Sequence, residues 1–169
     1  GNTWELSAVP WIPAVENVAH HAENLRRMGL NGLMLGWTLG GYPSENLEVV
    51  AETMSGSSAD EAMRRVATRR FGETLAPAVL NAWRGFSAAF REFPYHGGVL
   101  YQAPQQLGPA NLLWAASTGL RSSMTGFPYD DLDGWRAVYP PEVFARQFEA
   151  VADGFDLALR DLRTATNNA

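Results

Sequence analysis

The sequence predicts two architectures in one chain: an α/β portion over residues 1–55 and an all-α portion over residues 56–169, predominantly helical overall. Three observations predict it. The first 55 residues alternate apolar runs with helical patterns. Residues 55–58, Ser-Gly-Ser-Ser, are an abrupt shift in composition. Beyond residue 58 the chain is dominated by apolar stripes at spacings of three and four.

In order along the chain, residues 2–6 read as a short strand. Pro10 and Pro13 stiffen the link after it, because each fixes its own φ and biases its predecessor away from helix. A helix comes next. Pro13 suits its first turn, Val15, Val18, Ala22, Leu25 and Met28 share one face, and Gly29 can close it in the left-handed conformation.

Residues 30–39 are a near-continuous apolar run with Leu33, Met34, Leu35 and Trp37, of the length expected for a strand covered on both faces. The run ends in Gly40-Gly41-Tyr42-Pro43, after which Ser44 or Asn46 can cap a helix through Leu47, Val50, Ala51 and Met54. Strand, helix, strand, helix with short links is the grammar of a parallel α/β sheet or barrel. Two units cannot close a barrel and leave open edges, so upstream sequence is expected to complete it.

Past the serine-rich junction the pattern is helical. Ser58 and Glu61 form a capping-box pattern, Ala62, Val66 and Ala67 point inward, and Phe71-Gly72 ends that helix. A second helix over residues 75–93 aligns Val79, Trp83, Phe86 and Phe90. Residues 94–140 are rich in glycine, proline and aromatics, with short helices expected near 112–116 and 132–135; loops of such length commonly bind something or cover another surface. The last helix starts after Pro140-Pro141 and carries Phe144, Phe148, Val151, Phe155, Leu159 and Leu162 on one face.

Composition narrows the function classes. A chain of 169 residues with 46% hydrophobic content can bury one good core. The formal charge of −5 comes from scattered acids with no run of like charge, which argues against nucleic acid or an anionic membrane as partner. The absence of cysteine excludes disulfides, thiolate metal sites and a cysteine nucleophile. All 13 basic residues are arginine, a hint of a GC-rich bacterial genome. No run approaches the roughly 18 apolar residues of a membrane span, and a bacterial cytoplasmic or a secreted location both stay open.

The residues that could carry chemistry sit at the ends of the two expected strands. Trp4 and Glu5 place an indole beside a carboxylate, and Trp37, Gly40, Gly41 and Tyr42 close the second run. An aromatic ring stacks on the apolar face of a pyranose, while a carboxylate supplies acid, base or nucleophile. Each has a plainer reading. Glu5 can be a surface or salt-bridged carboxylate, Trp37 a core residue, and Gly40-Gly41-Tyr42 a tight turn.

Trp4-Glu5 with its proline-rich link, and then Gly-Leu-Met-Leu-Gly-Trp-Thr-Leu-Gly-Gly-Tyr-Pro-Ser at 32–44, resembles the last two strand-helix units of bacterial (β/α)8-barrel glycoside hydrolases. The nearest likeness is to uncharacterised proteins similar to the family 20 β-hexosaminidases, whose barrel is followed by a helical domain. It covers about the first 45 residues, and the segments Phe-Pro-Tyr-Asp-Asp and Gly-Pro-Ala-Asn-Leu-Leu look familiar from the same proteins. The resemblance implies a TIM-type barrel end over residues 1–55, a helical domain over 56–169, and a carbohydrate substrate. It also implies a catalytic carboxylate at Glu5 and a sugar pocket lined by Trp37, with Trp4 and Tyr42 on the substrate rim. Family 20 enzymes take their acid and assisting carboxylate from an Asp-Glu pair that this chain does not contain. Under that likeness Glu5 is a substrate-binding residue, and the acid partner belongs to an upstream part of the same polypeptide.

The remaining polar candidates point elsewhere. Asp130, Asp131 and Asp133 have the short spacing of a calcium loop without its further ligands, so helix capping is the preferred reading. His20 and His21 lie about 100° apart on a helix and cannot chelate one ion together, and His96 is a lone loop histidine. No metal or other cofactor is implied. Beside a glycosidase, the sequence fits a non-catalytic carbohydrate-binding or helical scaffold or interaction domain, which differ in whether Trp4, Trp37 and Tyr42 are exposed on one face or buried.

Overall fold

A computed structural model describes residues 12–35, 44–96, 99, 133 and 136–167. Among them the fold is all-α, with four helices and no strand: α1 (Val15–Arg27), α2 (Glu45–Met54), α3 (Ala59–Phe90) and α4 (Pro141–Asn167). The expected α/β portion, two strand-helix units from the end of a (β/α)8 barrel, is therefore corrected. Residues 30–35 of the expected second strand run as irregular chain, and residues 2–6 and 36–39 lie outside the described residues.

The physical reason lies in what a strand requires. Its N–H and C=O groups need a neighbouring ladder, and none of the described residues provides one. Nor is the run covered on both faces: Met34 is 88% exposed, Leu30 and Leu35 are exposed too, and Leu33 packs against the helical core. A short apolar run looks the same in a buried strand as in a link lying against helices.

Local signals explain the helices. In α1, Val15, Val18, Ala19 and Ala22 are buried, while Met28, expected on the same face, lies past the helix end and is 72% exposed. Gly29 takes φ +71°, the left-handed geometry that closes the helix cheaply only without a Cβ. Glu16 in the first turn and Arg26 and Arg27 in the last complement the helix dipole.

Helix α2 starts at Ser44, whose fully buried hydroxyl accepts from the Leu47 N–H at 3.3 Å. Its inner face carries Asn46, Val49, Val50 and Thr53, whereas Ala51 is exposed. The turn at residues 55–58 leads into α3, where Ser58 Oγ accepts from Glu61 N and Glu61 Oε2 accepts from Ser58 N, closing the expected capping box. Gly72, at φ 77° and ψ 164°, divides α3 into two helical segments. Pro77 lies five residues beyond Gly72, inside the second segment.

The chain divides into two compact units, residues 1–91 with 152–169, and residues 92–151. In the first, Val15, Val49, Met63, Val66, Val79 and Trp83 belong to one buried cluster shared by α1, α2 and α3. Burying side chains of this size contributes about 1.5–3 kcal/mol each. The second segment of α3 also lies close against residues 154–165 of α4. A Cβ on Gly85 would stand 2.8 Å from the Cβ of Ala158, and one on Gly154 would collide with Ala89. Phe86 and Phe155 meet edge to face, with centroids 5.2 Å apart.

In the second unit Phe148 packs edge to face with Phe93 at 5.4 Å and with Phe144 at 4.8 Å. The Tyr139 hydroxyl donates to the Tyr95 carbonyl at 2.9 Å. Of the rings on the two expected apolar stripes, Trp83 and Phe144 are buried and Phe86, Phe90, Phe148 and Phe155 are half-buried. No helix among the described residues is long and apolar enough to cross a membrane.

Candidate functional site

Trp4, Glu5, Trp37 and Tyr42 lie outside the described residues, as do Asp130 and Asp131. The places where their two segments join the helices are described. The Ile12 carbonyl, just before α1, accepts from the Ala14 N–H at 2.8 Å and from the Asn46 side-chain amide at 2.7 Å. Asn46 is fully buried in the first turn of α2, next to the equally buried cap Ser44. The starts of α1 and α2 are thus tied side by side. Glu5 lies seven residues before Ile12 and Trp37 seven before Ser44. Seven residues reach at most about 25 Å when extended.

The largest group of charged side chains among the described residues joins α2 to α3. Arg69 bonds Glu48 and Glu52, each at 2.7 Å, Arg70 bonds Glu45 at 3.1 Å and also Glu48, and Arg65 stands 3.6 Å from Glu52. Burial acts on the Glu48 carboxyl most strongly of any single influence and opposes its ionisation. Hydrogen bonds and positive charge from Arg70 and Arg69 together outweigh burial and hold it below the ordinary carboxylate range. The same bonds raise both guanidinium groups. Glu48 is thus a poor proton donor near neutrality, and the cluster acts as a pin between helices.

Sequence reasoning misses that cluster. Glu45, Glu48 and Glu52 repeat at helical spacings of three and four, as do Arg65 and Arg69, so each face is legible while their pairing is not. A second polar contact links α1 to α3. Asn17 Nδ2 donates to the Ser87 carbonyl at 2.8 Å, the buried Ser87 hydroxyl accepts from Glu16 N at 3.0 Å, and Arg91 reaches both Glu16 and Asn17.

Among the histidines, His20 is half exposed with Nδ1 4.0 Å from the Glu23 carboxylate. His21 borders a cavity of about 60 Å³ with Val18, Leu33 and Met34, too small for a sugar ring. His96 is exposed, and Asp133 is exposed with its carboxylate on Arg136 at 2.9 Å. Among the described residues no three His, Asp or Glu side chains are grouped to hold a metal ion. Comparison with family models, with curated proteins and with solved structures finds no match to this chain.

Proposed function

We propose that the chain contributes part of a sugar-binding rim and its helical support to an enzyme that hydrolyses glycosidic bonds. Trp4, Trp37 and Tyr42 offer aromatic faces to the sugar, and Glu5 offers the carboxylate. One observation carries the reading: the buried Asn46 amide on the Ile12 carbonyl ties together the ends of the two segments that hold these residues. Equal spacings of seven residues let both segments reach a common ligand. The reading needs no barrel.

A second reading, a non-catalytic carbohydrate-binding or helical scaffold domain, is favoured by the charge cluster. Its carboxylates are matched by guanidinium groups, so α2 and α3 supply rigidity and no acid–base pair.

Chromogenic glycosides, N-acetylhexosaminides included, separate the two. Most glycosidases flank the scissile bond with two carboxyls roughly 5–10 Å apart. The 169-residue chain, with Glu5 as its one candidate, is expected to be inactive alone. A longer polypeptide bearing it should turn over a glycoside and lose that activity on Glu5→Gln, which keeps shape and removes charge. Equal activity with glutamine would remove Glu5 from the chemistry, and sugar binding without turnover would favour the second reading.

A further inference from the structure

We draw no further inference here: the strongest candidate, the groove of about 410 Å³ between the second segment of α3 and residues 154–165 of α4, is a stripe of alanine and glycine bordered by the exposed Leu157, and nothing in the structure shows what covers it.

Discussion

The contacts that α3 makes with α2 and with α4 are held in different ways. Against α2 it sets arginines on glutamates along an exposed rim, above a core that includes Val49, Met63 and Val66. Against residues 154–165 of α4 it sets Gly85 and Ala89 on Ala158 and Gly154, so closely that neither glycine has room for a Cβ. The first contact depends on apolar volume inside and on charge outside. The second depends on the lack of side chains. One helix can therefore be sensitive to pH along one neighbour and to a single methyl group along another.

The largest effect is expected in the core under the charged rim. Met63→Ala removes a fully buried side chain and should cost about 2–5 kcal/mol, read as a lower denaturation midpoint at unchanged slope. A loss under about 1 kcal/mol would mean that the ion pairs, and not the core, dominate that contact.

Next comes the glycine seam. Gly154→Ala would gain up to about 1 kcal/mol from helix propensity in an open helix, yet its methyl meets Ala89. Overpacking of this kind costs about 1–3 kcal/mol, so thermal unfolding should show a net loss. A rise in Tm would show that the seam can open without penalty.

The smallest effect concerns the rim. Glu48 has a lowered pKa in the folded chain, so its contribution is fully present above the unfolded value of about 4.5 and is lost as pH falls below it. Because the pairs lie at the surface and are partly open to solvent, the change should be under about 1 kcal/mol and should shrink in high salt. Urea titrations at pH 7 and pH 3 of the native chain and of Glu48→Gln check it: the variant should lose part of the pH dependence. An identical pH dependence in both would exclude Glu48 as a contributor.

Local chemistry was legible, and partner choice was not. Gly29, the Ser58–Glu61 box and the break at Gly72 each depend on a few adjacent residues, and the structure has all of them, while the last helix, expected after Pro140-Pro141, starts at Pro141 itself. In α2 the apolar pattern allows a stripe through Ala51 or through Val49, and only packing against α1 and α3 selects Val49. Residues 30–35 failed for a related reason: an apolar run is a strand only where another strand pairs with it. Trp4, Glu5, Trp37 and Tyr42, the residues that the sequence offers to a sugar, lie outside the described residues. The hydrogen bond tying their segments together links residues 34 apart and has no signature in local sequence.

The joint between Ile12 and Asn46 is tested most directly by calorimetric titration of the chain with an N-acetylhexosamine disaccharide, native and Asn46→Leu. Leucine nearly keeps the shape of asparagine and removes the donor to Ile12. The comparison belongs at a temperature where circular dichroism shows both forms fully helical. Saturable binding by the native chain, weakened about tenfold or more in the variant, equivalent to about 1.4 kcal/mol, is the expected result. Equal affinity in the two would reduce Asn46 to a packing residue, and a native chain that binds none of the disaccharide would contradict the proposal of a sugar site.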